Sequence, residues 1–387
     1  MAKPHLRSGE VERALRAAPA HALPEALAGA VTARFPQVTG ARLYLVDYRL
    51  ASLLPAESPS EHEPIAVPGT PAGRAFASLR PVPDPAGSRA RRVFVPVAAR
   101  GDRMGVLALD VDAPCSREDF AELADIGEIA GGALKVAWAL TDRYERVRRD
   151  RRLTLAAELQ WQLLPGQTCA GERFDLAGHL EPAYSVAGDN FDWTAERDHL
   201  TLSVTNGAGE GIRAALLTSL TVGALRNARR GGADLAEQAS LAADIVHARY
   251  GGEWFTETLL MRVDLASGEA TVVDAGSPRV LRMRGTRVAR VELEQQMPLG
   301  MFADTEYRAQ RLRLESGDRL VIVSDGVYSA PHPGGGDFGT HRLEQAVRGT
   351  RLQDASGVPL AIIGELMSTH EGAELADDAV VVCVDWH

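Results

Sequence analysis

Three short acidic turns stand out from the middle of this sequence onward. They are AGDNFDW, with Asp189 and Asp192; VIVSDGVY, with Asp325; and LADDAVVV, with Asp377 and Asp378. Each borders an apolar, strand-like run. A sheet that sets those runs side by side gathers the carboxylates at one edge. Such oxygen donors suit a hard divalent cation, Mg²⁺ or Mn²⁺, which keeps several waters and needs few protein ligands. Two such ions held close together activate a water and stabilise an in-line phosphoryl displacement. A single Asp-Gly turn is most simply a turn former; three acidic turns in this order carry more weight. A fourth stretch, VTNGAGEG (Val204–Gly211), also reads as a strand entering a glycine-rich turn that opens a helix, but its tip is the neutral Asn206. On its own it reads either as a metal turn without its carboxylate or as a plain connection.

No Cys/His or Ser/His arrangement suggests a covalent nucleophile, so no catalytic side chain is assigned beyond the metal site. His179 and His247 are isolated and read as structural. Cys115, Cys169 and Cys383 are far apart and form neither a zinc pattern nor a disulfide framework, which favours a reducing cytoplasm.

The chain has 387 residues, 45% hydrophobic and 24% charged, with a formal net charge of −10. That is the composition of a soluble protein of two or three domains. The negative balance argues against nucleic acid as a partner. The start, MAKPHLRSGEVERALR, lacks the apolar core of a signal peptide. The run IGEIAGGALKVAWAL contains Glu128 and Lys135 and is too short to span a bilayer. A cytoplasmic protein with no membrane association is expected.

The elements that must position the acidic turns fall into three parts. Residues 10–117 begin with a helical stretch around Leu15 to Phe35. Strand-like runs follow at Ala41–Tyr48, Arg91–Ala99 and Arg103–Val111. GTPAGRAFAS (Gly69–Ser78) reads as a turn and short helix, and RGDRMG as a hairpin turn. Residues 118–164 read as a helical, coiled-coil linker, one long helix from about Ser116 to Leu164 capped by Ser116 with Asp119. Leu123, Ile126, Ala130, Ala133, Ala137, Leu140, Tyr144 and Val147 recur in steps of three and four. That seam suits either packing on its own domain or a parallel dimer; the basic run Arg148–Arg152 interrupts it. Residues 165–387 mix strands with helices at Ile212–Arg230, Leu235–Arg249 and Val358–Ser368. Neighbouring strands joined by tight turns such as LASGEA predict an α+β fold with largely antiparallel sheets.

From about Leu153 onward the sequence resembles the SpoIIE/RsbU-type branch of the PPM metal-dependent serine/threonine phosphatases. LAAELQWQLLPG is similar to that family's opening helix, and EPAYSVAGDNFDW to its first acidic motif. VTNGAGEGIRAALL, VDAGSP, MPLGMF, VIVSDGVYSA and DDAVVVCV follow in the family's order. The resemblance implies an αββα sandwich with two Mn²⁺ or Mg²⁺ ions between its sheets. Carried over, Asp189, Asp325 and Asp377 would hold or support the metals, and Gly207 would offer a backbone carbonyl. The family's bridging aspartate falls on Asn206, and Glu210 stands where the family has His. Asp192, Asp378 and Glu210 are supporting candidates. The implied reaction is hydrolysis of phosphoserine or phosphothreonine by metal-bound hydroxide. GTPAGRAFAS and RMGVLALDV with REDFAELADIGEIAGGAL resemble a GAF domain, so residues 10–117 are expected to be a GAF-like α/β sensor for a small-molecule or protein signal. Cys115 reads as incidental.

The implied partner is a phosphorylated anti-anti-sigma (STAS-like) protein, with a homodimer formed through the linker helix. A bridging carboxylate places negative charge between two dications, and an amide does not, so one metal site is expected to be weak. Two expectations follow: a working phosphatase with altered metal binding, or a catalytically weak pseudophosphatase that acts as a sensor or binds phosphoproteins.

Overall fold

The computed structural model describes residues 5–57, 63–84, 91–149, 154–182, 188–331, 337–339, 341–369 and 375–387. The chain divides into two compact units, Met1–Arg152 and Leu153–His387. The part of the first acidic motif at 183–187 and the end of the basic run at 150–152 lie outside the described residues.

The first unit contains α1 (His5–Ala17), α2 (Leu23–Arg34), β1 (Val38–Val46), β2 (Ser52–Pro55), β3 (Ile65–Ala66), α3 (Pro71–Ser78), β4 (Val82–Pro83), β5 (Arg91–Ala99), β6 (Asp102–Val111), α4 (Arg117–Trp138) and α5 (Arg143–Val147). Its six strands form one antiparallel sheet in the order β3-β2-β1-β6-β5-β4. RGDRMG is the expected hairpin: Arg100 and Gly101 both have positive φ, as a two-residue turn between right-twisted strands requires. The helical stretch read near Leu15 to Phe35 is two helices, because the chain bends at Pro19 and restarts with Pro24 in the first turn of α2.

The expectation of one helix from Ser116 to Leu164 is corrected. The capping box of Ser116 and Asp119 is present, but α4 ends at Trp138. Arg143 then donates to Glu25 and to the Ala56 carbonyl, and the Tyr144 hydroxyl donates to the Ala20 carbonyl. These contacts turn the chain back onto the first unit. Five of the seam residues, Leu123, Ile126, Ala130, Ala137 and Tyr144, are buried in that unit's own core. The seam therefore packs on its own sheet, while Val136 and Leu140 stay exposed.

The second unit contains α6 (Leu155–Leu163), β7 (Thr168–Ala170), β8 (Phe174–Glu181), β9 (Asn190–Ala195), β10 (His199–Gly207), α7 (Gly211–Arg230), α8 (Leu235–Tyr250), β11 (Thr256–Asp264), β12 (Glu269–Ala275), β13 (Arg279–Arg284), β14 (Arg287–Arg290), β15 (Gln310–Arg313), β16 (Asp318–Val323), α9 (Asp325–Tyr328), α10 (Arg342–Gly349), α11 (Val358–Thr369) and β17 (Ala379–Trp386). One sheet runs β15-β12-β11-β10-β9, the other β14-β13-β16-β17-β8-β7. Their inward rows meet in one apolar layer. Phe191, Leu202, Val204, Leu259 and Met261 come from the first sheet, and Leu176, Leu320, Ile322, Val380 and Val382 from the second. The outer face of the second sheet packs against α10 and α11, and α7 and α8 cover the other. The order helix, sheet, sheet, helix is the expected αββα sandwich. No helix among the described residues is long and apolar enough to cross a membrane.

Phe191 is fully buried between the sheets, two residues from the acidic turn at Asp189. Truncation to Phe191→Ala is expected to lower the unfolding free energy of the second unit by about 3–5 kcal/mol. Urea denaturation checks this; a loss below about 1 kcal/mol would show that the ring does not support the layer.

Candidate metal centre

Side chains on a strand alternate between its faces, so the inward rows dictate what meets at their ends. In β10, Leu200, Leu202 and Val204 face the sandwich core, and the next inward position is Asn206. In β11, Val263, Met261 and Leu259 face the core, and the next is Glu257. Asn206 and Glu257 are register partners. Asp189 lies one step beyond the Asn190–Thr205 pair, on the other side of Asn206. From the opposite sheet, Asp325 follows β16, and Asp377 and Asp378 precede β17.

A cleft of about 230 Å³ opens at this edge, lined by Asn206, Gly207, Ala208, Gly209, Phe255, Glu257, Asp325 and Asp377. Three of these eight are carboxylates; none is Lys, Arg or His. Asp325 Oδ1 accepts from the Gly326 amide at 3.0 Å and from Asn206 Nδ2. Asn206 Nδ2 also donates to Ser277 Oγ at 3.2 Å. Burial raises Asp325 above the ordinary carboxylate range. Burial, then the Asp325 charge, raises Asp377 to about 6. Burial also raises Glu257, with a smaller contribution from Asp325 and an opposing hydrogen bond to Ser277.

Asp189 is fully buried, and neither of its carboxylate oxygens has a partner in hydrogen-bond geometry. Burial and then the neighbouring Asp378 hold it well above its usual value, although the Ser324 side chain stands close enough to oppose the rise. Its turn is fixed through the backbone. Gly188 takes φ +94°, and its carbonyl accepts from Thr218 Oγ1 on α7 at 2.6 Å. Asp378 Oδ2 accepts from the Gly188 amide at 3.0 Å, from the Asp189 amide at 3.4 Å and from Gln160 Nε2 at 2.6 Å. Gln160, on α6, also donates to the Asp189 carbonyl at 2.9 Å.

The structure thus brings Asp189, Asn206, Gly207, Asp325 and Asp377 to one sheet edge. Asp378 is buried and supports the site by holding the Asp189 turn. Glu210 is the exposed residue before α7 and makes no side-chain cap; its charge contributes slightly to raising Asp377. Asp192 is not at the cleft. Its carboxylate is held by Arg226 at 2.8 Å and Arg229 at 3.1 Å. In AGDNFDW, Asp189 shares the inward parity of Phe191, and Asp192 takes the other face. His179 lies 3.4 Å from Glu181 and His247 bonds the Gly300 carbonyl; neither lines the cleft. The acidic residue missed from sequence is Glu257. Its signal is positional: it follows the inward alternation of FTETLLMRV to its end.

An isolated buried carboxylate is costly, and it is tolerated only with a proton or a cation beside it. The orphaned oxygens of Asp189 and the crowded acids therefore fit a hard dication in chemical type. Such an ion keeps several waters and needs one or two carboxylates, which Asp325 and Asp377 provide. A bridged pair of ions fits less well, since Asn206 offers one neutral oxygen and donates its N–H to Asp325. Among the described residues, no group of three or more His, Cys, Asp or Glu is arranged to hold a metal ion.

Residues 196–387 match the family profile described as Stage II sporulation protein E (SpoIIE), which bears out the resemblance read from the motifs. Asn206, Glu257, Asp325 and Asp377 fall inside the match; Asp189 lies upstream. The chain is 24% identical over 183 residues to Stage II sporulation protein E of Bacillus subtilis, covering 47% of this chain and 22% of that protein. It is 23% identical over 176 residues to phosphoserine phosphatase RsbU of Bacillus subtilis, covering 45% and 52%. The chain thus spans about half or less of the curated relatives it matches. Among solved structures, it is similar to the PP2C phosphatase domain of SpoIIE with a fragment of its regulatory domain, also from Bacillus subtilis. There the identity is 20% and the TM-score 0.49, over 54% of this chain and 63% of that one.

Asp377 gives a pH test. Its carboxyl is raised from 3.8 to about 6 in the folded state, so the fold holds the proton more tightly than the unfolded chain does. The stability this gives is present below the unfolded value and is lost as pH rises through about 6. Asn mimics the protonated form. Metal-free Asp377→Asn should match the wild type near pH ~4 and exceed its urea midpoint near pH ~7. An equal difference at both pH values would overturn the assignment.

Proposed function

We propose that this chain is a metal-dependent protein serine/threonine phosphatase of bacterial signalling, of the type that regulates sigma factors. The carrying observation is the acidic edge of a SpoIIE-matching sandwich, where the carboxylate oxygens of buried Asp189 lack hydrogen-bond partners and Asp325 and Asp377 face a cleft with no basic residue among its described lining. The reaction is hydrolysis of phosphoserine or phosphothreonine on a protein. Asp325 and Asp377 would hold Mn²⁺ or Mg²⁺, with Asp189 and the Gly207 carbonyl contributing. When bound, such an ion supplies polarisation of the phosphoryl oxygens and an acidified water.

The chain's own residues do the rest. Gln160 and Asp378 keep the Asp189 turn in place. The Asn206 amide orients Asp325. In this reading water attacks the phosphorus directly, and the carboxylates of Asp325 and Asp377 serve to hold the ion.

The partner in this reading is a phosphorylated anti-anti-sigma (STAS-like) protein. The first unit, with its antiparallel sheet and helices, would act as a GAF-like sensor in the cytoplasm. A homodimer would use the exposed apolar residues Val136 and Leu140, since most of the helical seam is buried. A second reading is favoured by one observation: the Asn206 N–H already occupies Asp325. In that case the unit binds a phosphoprotein with little turnover.

A phosphopeptide assay over a Mn²⁺ titration to millimolar levels separates the two. Asp325→Asn is expected to lower kcat/KM by at least roughly 100-fold, about 2.7 kcal/mol, and Asn206→Asp to raise activity at low Mn²⁺. Turnover that appears only in Asn206→Asp would establish the second reading.

A further inference from the structure

Glu257 belongs to none of the acidic turns, yet it stands among them. We propose that Glu257 supplies the carboxylate that position 206 lacks and helps hold the divalent cation of the cleft. This rests on the metal-dependent reading above and adds a ligand to it.

Asn206 and Glu257 are directly paired on neighbouring antiparallel strands. Facing side chains project from the same face, with Cβ atoms roughly 5 Å apart. Glutamate has one more methylene than aspartate, so a carboxylate on Glu257 reaches the space that an aspartate at 206 would fill. The row continues on both sides. Asp189 comes one step beyond the Asn190–Thr205 pair, and Gly276 one step beyond Thr258–Ala275. A Cβ on Gly276, whose φ is +145°, would lie 2.3 Å from the Glu257 Cβ. The bare backbone at Gly276 thus leaves room for the Glu257 stem and limits where its head can go. Packing alone does not call for an acid at this position: the inward neighbours Leu259, Met261 and Val263 are all buried and apolar. An independent observation comes from the other side of Asn206, where both oxygens of fully buried Asp189 lack a hydrogen-bond partner, and from the cleft itself, which Glu257 lines together with Asp325 and Asp377.

The test titrates Mn²⁺ alone into the full chain, reads the free ion by electron paramagnetic resonance, and compares metal-free melting curves. Wild type is expected to take up Mn²⁺. E257Q should weaken that uptake by roughly 10- to 100-fold without lowering metal-free melting. The double variant E257Q/N206D should recover most of the lost affinity. Wild-type affinity in E257Q would overturn the role of Glu257 while leaving the metal reading intact. Absence of uptake by wild type would overturn that reading and this inference with it. If E257Q melts lower, Glu257→Asp decides: it keeps the charge and should bind Mn²⁺ more tightly than E257Q, and equal loss in both overturns the proposal.

Discussion

Carboxylates cannot be crowded at the dry end of an apolar layer unless something cancels their charge. The second unit does this at one sheet edge, where the layer of Leu, Val and Phe side chains gives way to Asp189, Asn206 and Glu257. The surrounding backbone is committed to holding them there. Asp378 Oδ2 accepts N–H bonds from Gly188, Asp189 and Gln160. Asp189 has no such shell. Two acids of one edge thus have opposite environments: one is satisfied by the protein, and the other is left for a partner from outside.

Asn206 works between these extremes. Its amide has two N–H donors, and both are used, on Asp325 and Ser277. A neutral amide can hold two cleft walls in place, but it adds no negative charge between them. In the proposed reading, the charge absent at position 206 is supplied by Glu257, its register partner on the neighbouring strand.

The central site was readable because each of its acids borders a run of β-branched and apolar residues, and the ends of such runs converge when strands pair. Gly207 and Asn206 were placed by the resemblance of VTNGAGEG to the family's glycine turn, since on its own that stretch left two readings open. The antiparallel α+β character followed from adjacent strands joined by short turns, and the sandwich arrangement from the family resemblance. What went astray has local causes. Asp192 lies three residues from Asp189, and strand alternation sends the two to opposite faces, where arginines of α7 hold Asp192. The seam from Leu123 to Val147 has a periodicity shared by coiled coils and by helices laid on a sheet, and only tertiary contacts separate them. A short strand such as β14, four residues long, carries too few residues for a pattern. Glu257 sits at the inward end of the FTETLLMRV alternation, but its importance comes from its register partner Asn206, which that segment does not contain.

That register has an evolutionary side. Two positions facing each other across a ladder present their side chains to the same space, so a charged group can pass from one strand to the other while the backbone stays where it is. Selection then acts on the pair. The effect of a substitution at 206 depends on what stands at 257, and the two effects need not add. A motif read along one strand can look degraded while the group it specifies persists on the strand beside it.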